Sequence, residues 1–160
     1  MVIKESQIKE ILSNVFDPEI PVLSVIDLGI IREIDLLNKV ITITPTYSGC
    51  PAMDVFEVDI KSALDEKNIT GFQIESTLSP AWTTDWISEE GKRKLEEYGI
   101  APPVGSSSDK QVLFGEEKVV PCPQCKSKNT KLISQFGSTA CKALYKCEDC
   151  LEPFDYFKCL

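Results

Sequence analysis

The sequence contains no histidine among its 160 residues. Without an imidazole, the chain has no Ser/His/Asp triad, no Cys/His nucleophile pair and no histidine-containing metal shell. It also lacks an apolar run approaching the roughly 18 residues that a membrane-spanning helix needs, and its first residues do not read as a signal peptide. We therefore expect a cytoplasmic protein without membrane association, in which chemistry falls to cysteine and carboxylate side chains.

Positive charge is scarce as well. The chain has 17 Lys+Arg against 25 Asp+Glu, a net charge of -8, and the acidic excess lies in residues 1–112. Nucleic-acid binding relies on clustered Lys and Arg that neutralise phosphates, so a nucleic-acid partner is not expected. Trp82 and Trp86, in these acidic surroundings, are expected to pack on one face of a helix and not to stack on bases.

Hydrophobic periodicity predicts an α+β fold for residues 1–100. Apolar residues recur at helical spacing near residues 8–15 and again near 53–64. Between these two helices, β-branched segments predict a hairpin, and a third strand and a charged helix follow at 72–78 and 88–98. The order helix, hairpin, helix, strand, helix indicates a small α/β sandwich-like N-terminal domain.

The remainder of the chain has a different character. Residues 101–111 combine Pro, Gly and Ser without apolar periodicity, which predicts a flexible linker. Residues 112–160 contain three strand-like pieces, at 131–136, 143–146 and 154–157, but are too few to bury a self-sufficient core. A second, all-β domain stabilised by something besides apolar burial is therefore expected.

Six of the seven cysteines lie in this C-terminal segment. Cys122-Pro-Gln-Cys125 and Cys147-Glu-Asp-Cys150 form two CxxC knuckles at a spacing typical of four-cysteine zinc sites. Because four thiolates leave no open coordination position, the pattern predicts a structural zinc ribbon. Four thiolates also suit iron or an iron-sulfur cluster, so the metal stays open, as do the roles of the two further cysteines, Cys141 and Cys159.

The seventh cysteine, Cys50, stands between a predicted strand and a predicted helix. A helix N-terminus offers free N–H donors and partial positive charge, which can lower the pKa of a thiol. A passive cap or core thiol is the alternative. Asp17, Glu19 and Asp27, in the loop before the first strand, are carboxylates that either cap turns or join Cys50 in transient metal handling.

Two motifs carry a resemblance to known families. Asp17-Pro-Glu-Ile-Pro-Val-Leu-Ser-Val-Ile-Asp27-Leu-Gly, followed by Thr-Tyr-Ser-Gly-Cys50-Pro, is similar to the iron-sulfur-assembly domain typified by SufT, over roughly residues 6–95. Together with Val-Pro-Cys-Pro-Gln-Cys125 and the final Glu-Pro-Phe-Asp-Tyr-Phe-Lys-Cys159, the whole chain resembles the PaaD family of phenylacetate-degradation subunits.

The resemblance implies an accessory, non-catalytic role beside a multicomponent phenylacetyl-CoA epoxidase, a monooxygenase. Such a protein is expected to help insert iron or an iron-sulfur cluster into a partner subunit, foremost the iron-sulfur reductase component. It implies a functional role for Cys50, with Asp17, Glu19 and Asp27 shaping its site. An integral redox subunit with a cysteine-bound iron centre is the alternative, and a homodimer stays open.

Overall fold

The computed structural model describes residues 2–105 and 118–158, which form two compact units. The N-terminal unit runs to Trp82 and includes Trp86–Gly91, and the ribbon unit takes in Thr83–Asp85 and the residues from Lys92 onward. Residues 106–111 of the predicted linker lie outside the described residues, as does Cys159. The predicted α+β class is confirmed.

The predicted helix, hairpin, helix and strand lie in the N-terminal unit, whereas the helix predicted to follow them is divided between the two units. Two helices, α1 (Glu5–Leu12) and α2 (Ala52–Asp65), accompany a three-stranded sheet of β1 (Ile31–Asp35), β2 (Val40–Ile43) and β3 (Gln73–Ser76). β1 and β2 form the antiparallel hairpin, whereas β2 and β3 are parallel. A parallel pair needs a crossover connection, and α2 supplies it. No helix in the described part of the chain is long and apolar enough to cross a bilayer.

The core of this unit lies between the helices and one face of the sheet. α2 buries one residue per turn, from Ala52 through Phe56 and Ile60 to Leu64, which is the i, i+4 stripe of an amphipathic helix. The helix contacts α1 and β3. Phe56 is 1% exposed, and a side chain of that size contributes on the order of 2–3 kcal/mol through burial.

The expectation that Trp82 and Trp86 share a helical face is wrong. Trp82 precedes a short 3-10 turn, Thr84–Trp86, and the next helix, α3 (Glu89–Glu97), begins only afterwards. The buried indole of Trp82 donates to the Leu28 carbonyl at 2.8 Å. Threonine and aspartate in the intervening residues favour turns over helix, so the four-residue spacing did not indicate a helix here.

The ribbon unit contains a four-stranded sheet in the order β4-β7-β6-β5. The three predicted strands are confirmed as β5 (Thr130–Ser134), β6 (Lys142–Cys147) and β7 (Pro153–Phe157), which form an antiparallel meander. A short strand, β4 (Ile100–Ala101), pairs in parallel with β7. These two residues were expected at the end of the first domain and the start of the linker. A two-residue strand has no periodicity to reveal it.

Candidate metal sites

The four cysteines of the two CxxC motifs converge in the ribbon unit. Their Sγ atoms all lie within 4.8 Å of one another. Cys122 Sγ is 3.7 Å from Cys150 Sγ, and Cys125 Sγ is 3.5 Å from Cys147 Sγ. A tetrahedral shell with metal–sulfur bonds of about 2.3 Å has sulfur–sulfur edges of about 3.8 Å. The quartet therefore fits one tetrahedral metal ion, and this metal-binding arrangement is the one that the sequence spacing predicts.

A tight turn after each CxxC motif aims the sulfur atoms. Lys126 and Leu151, each directly after the second cysteine of its knuckle, have φ angles of 64° and 65°. Cys122 N–H donates to the Ser127 carbonyl at 2.9 Å, and the second knuckle closes in the same way on Glu152 at 3.0 Å. The left-handed backbone costs a residue with a side chain about 1–2 kcal/mol. Both knuckles hold this conformation without the glycine that suits it.

Asp149, inside the second CxxC motif, ties the two knuckles together. Its carboxylate accepts hydrogen bonds from the Ser127 hydroxyl and, at 2.8 Å, from Asn129 Nδ2. These two donors lower the pKa of Asp149. Glu148 N–H also donates to the Asn129 carbonyl at 2.8 Å. Sequence reasoning missed this brace, because short polar residues near a knuckle are ordinary loop composition and give no distinguishing signal.

In the absence of a cation, Cys147 and Cys150 do not ionise together. Backbone N–H groups of Cys150 and Asp149 lower the pKa of Cys147 to about 7. The pKa of Cys150 is instead raised to about 12: a backbone hydrogen bond from Glu152 opposes the rise, and burial and the neighbouring thiols outweigh it. A divalent ion removes this conflict by binding four thiolates and displacing their protons. Zinc and iron are both compatible with this donor set.

Cys141 lies outside the quartet. It is 6% exposed, and its Sγ is 3.1 Å from Thr139 Oγ1. Its carbonyl accepts a hydrogen bond from Lys158 N–H at 2.9 Å. The burial of Cys141 agrees with a thiol that is packed in the core.

Cys50 lies two residues before α2 and is 9% exposed. Its pKa is raised, which favours a core thiol over a thiolate stabilised by the helix start, the two alternatives that the sequence left open. Burial is the main cause of the rise, while Ala52 N–H at the helix start and the Thr46 hydroxyl oppose it. Desolvation penalises the thiolate more than the helix terminus stabilises it. At neutral pH, Cys50 is therefore a protonated thiol.

Two of the three predicted carboxylates act on Cys50. The charges of Glu19 and Asp17 both raise its pKa. Asp17 is buried, and its Oδ1 accepts hydrogen bonds from the N–H groups of Glu19 and Ile20 at 2.6 and 2.9 Å. Asp17 therefore fixes the loop that carries Glu19, and both carboxylates lie close enough to Cys50 to influence its ionisation.

Asp27 organises the backbone of its own loop. Its Oδ2 accepts hydrogen bonds from the N–H and hydroxyl of Ser24 at 3.1 and 2.9 Å, and Ser88 Oγ donates to Oδ1 at 3.2 Å. Two residues later, Gly29 has a φ of 69°, and a Cβ there would lie 2.3 Å from the Trp86 carbonyl oxygen. Asp27 therefore has a structural role, because its carboxylate fixes the loop by hydrogen bonds. The backbone two residues later is in turn constrained by close packing.

Comparison with known proteins matches both units. Residues 5–71 match the family described as "Iron-sulfur cluster assembly protein", and residues 106–158 match the "PaaD zinc beta ribbon domain". A crystal structure of a DUF59 domain from Bacillus anthracis, 27% identical, superposes with a TM-score of 0.51 over 57% of this chain and 90% of that chain. The N-terminal fold is therefore that of the DUF59 domain.

Two curated relatives extend the match. An "Fe-S protein maturation auxiliary factor" of Porphyromonas gingivalis is 37% identical over 57% of this chain and 90% of its own length. A protein of Escherichia coli K12, provisionally named as a subunit of 1,2-phenylacetyl-CoA epoxidase, is 48% identical over 96% of this chain and 92% of its own length. Since this second match spans both units in the same order, the chain belongs to the PaaD family.

Proposed function

We propose that this protein is an accessory maturation factor of a multicomponent phenylacetyl-CoA epoxidase, which assists the insertion of iron or an iron-sulfur cluster into a partner subunit. The relative from E. coli bears the name of an epoxidase subunit, and the one from P. gingivalis bears the name of a maturation factor. The present chain joins the domain of the second to a metal-binding ribbon. An accessory role in the phenylacetate pathway agrees with both names.

The observation that carries the proposal is the setting of Cys50. A buried thiol beside two carboxylates is a poor nucleophile, because its pKa is raised and little thiolate exists at neutral pH. The same carboxylates attract a cation, and an arriving metal centre can displace the thiol proton. In the described part of the chain, the ribbon quartet is the only group of three or more cysteine or carboxylate side chains whose ligand atoms converge. In this proposal, Cys50 therefore offers a single soft donor, and the charges of Asp17 and Glu19 attract the iron-containing cargo.

A raised pKa also favours release of the cargo. Protons compete with metal for a thiolate, and the competition is stronger the higher the pKa of the thiol. Once a client offers better ligands, re-protonation of Cys50 helps the cargo to leave. This behaviour suits a carrier that holds its cargo through one thiol, whereas four converging thiols together hold the ribbon metal.

The ribbon metal has a different role in this proposal. The four-cysteine shell fits zinc, which would stabilise the fold and supply no redox chemistry, since all its coordination positions are taken by protein thiolates. The same quartet would fit iron, and an integral redox subunit is then the alternative function. Metal analysis and visible absorption of protein purified without oxygen distinguish the two: one zinc and no colour supports the proposal, and reducible visible bands favour the alternative.

The direct test is the cluster content of the epoxidase reductase component, produced together with this protein. Cys50→Ala is expected to lower the iron and sulfide content of the reductase to the level found without this protein. Cys141→Ala, which removes another buried thiol, serves as the matched control and should leave that content unchanged. Full cluster content with Cys50→Ala would exclude Cys50 from the mechanism.

A further inference from the structure

The second face of the ribbon sheet, opposite its core cluster, is buried at one end, where Ile100, Lys142 and Phe157 lie, and exposed at the other. Along β6, Ala143, Tyr145 and Cys147 belong to the buried core cluster of the unit. Side chains alternate along a strand, so Leu144 and Lys146 point to the opposite face. We call the end that is not buried the outer ribbon face, and it comprises Lys131, Ile133, Leu144, Lys146, Pro153 and Asp155.

Two lysines meet on this face. Lys131 on β5 is directly opposite Lys146 on β6 in the antiparallel register. Like charges directly opposite one another destabilise a sheet. Neither lysine forms an ion pair with another residue in the part of the chain that the structure describes. Asp155, the carboxylate across from Leu144, accepts a hydrogen bond from Ser138 Oγ at 3.1 Å.

Apolar side chains accompany the two lysines. Ile133 lies at the irregularity of the β5–β6 register and is 53% exposed. Leu144 is half-buried, and Pro153, opposite Lys146 on β7, is exposed. Partly exposed apolar side chains beside two lysines and one carboxylate can bind a protein segment, in which apolar contact supplies affinity and the net positive charge supplies orientation.

Protection against aggregation does not account for this arrangement. Lysine on an edge strand commonly prevents pairing with other chains, and β5 is an edge of the described sheet. That explanation covers Lys131, but Lys146 lies on an inner strand, where no edge needs protection. Edge protection therefore leaves the second lysine unexplained.

We propose that the outer ribbon face binds an extended acidic segment of a partner protein, with its carboxylates on Lys131 and Lys146 and its apolar side chains on Ile133 and Leu144. The charges favour an acidic protein over nucleic acid, because two lysines on a chain of net charge -8 cannot neutralise a phosphate backbone. The inference is independent of the metal chemistry of Cys50.

The test uses the full-length, metal-loaded chain labelled with nitrogen-15 and a synthetic peptide of alternating glutamate and leucine. At low salt, the peptide should shift the amide signals of β5 and β6, and 0.5 M salt should weaken binding. Lys131→Glu combined with Lys146→Glu should weaken it by roughly tenfold or more. Lys61→Glu combined with Lys67→Glu, which changes the net charge equally in the N-terminal unit, should have little effect.

Each remaining outcome decides the question. Equal binding by both double variants, absence of binding at low salt, or shifts confined to the N-terminal unit would overturn the proposal. Tighter binding of duplex DNA than of the peptide would do the same. Since charge reversal can perturb the fold, Lys131→Gln with Lys146→Gln is measured in parallel, together with the metal content of each variant. This milder pair should weaken binding by several-fold.

Discussion

The two units of this protein differ in how many apolar side chains they bury in their cores. The N-terminal unit buries many large aliphatic side chains completely, along with Phe56. The ribbon core is a cluster of eight buried residues, two of which, Cys122 and Cys147, are metal-site thiols. A small sheet with so few apolar side chains cannot offset its conformational entropy by burial alone. We therefore expect the N-terminal unit to fold without a metal and the ribbon unit to depend on one.

Removal of the ribbon metal is the strongest way to test this contrast. Cys147→Ser, or a strong chelator, should unfold the ribbon unit, because structural zinc contributes about 10–16 kcal/mol of apparent binding free energy in small domains. The amide spectrum of the N-terminal unit should persist, as that unit has its own apolar core. Protease resistance of the ribbon after chelation would contradict this division, and Cys141→Ser, outside the quartet, should retain the metal.

The converse perturbation is Phe56→Ala in the N-terminal unit. Truncation of a buried phenylalanine costs about 3–5 kcal/mol, a large part of the stability of a small domain. The midpoint of urea unfolding of the N-terminal unit should fall accordingly, while the metal content of the ribbon stays at the wild-type level. Val58→Ala, on the same helix but 61% exposed, is the matched control and should change the midpoint little.

A smaller effect concerns Cys50, the candidate functional thiol of the metal-independent unit. Because the pKa of Cys50 is raised, its alkylation by iodoacetamide should be slow at neutral pH. The alkylation rate should continue to rise with pH even where a free cysteine is already ionised and its own rate has levelled off. Glu19→Gln removes one of the charges that raise this pKa, so it should move the rate profile to lower pH. Mass spectrometry of the Cys50 peptide measures both, and an unshifted profile would place Glu19 outside the site.

The same contrast explains what could be predicted from the sequence. Every strand except β4 follows from local composition and the alternation of apolar residues, and the quartet follows from two CxxC motifs, because each of these signals is local. The resemblance to an iron-sulfur-assembly domain and to PaaD was confirmed by the comparisons. The limits of the domains and the assignment of Asp17, Glu19 and Asp27 to a cofactor site stay predictions.

Features that depend on the tertiary environment could not be predicted in this way. The position of Cys50 near a helix start left open whether its pKa is lowered or the thiol is a passive part of the core. Burial, which the local sequence does not reveal, raises the pKa. Trp82 and Trp86 have helical spacing but lie in irregular structure, where Trp82 bonds to a backbone carbonyl 54 residues away. The Asp149 brace joins two knuckles that are far apart in the chain.

The smallest expected effect is local to the knuckles. Leu151 has a φ of 65° and is 64% exposed, so its side chain contributes little packing while its backbone is strained. Leu151→Gly should stabilise the metal-loaded ribbon by about 0.5–1 kcal/mol. This net gain is the left-handed backbone strain that the change relieves, minus the cost of the greater conformational entropy of glycine in the unfolded chain. The rate of metal transfer to a chelator should fall slightly. Leu151→Ala keeps the strain and should give no gain, so equal rates for the two variants would show that the left-handed turn does not limit the stability of the site.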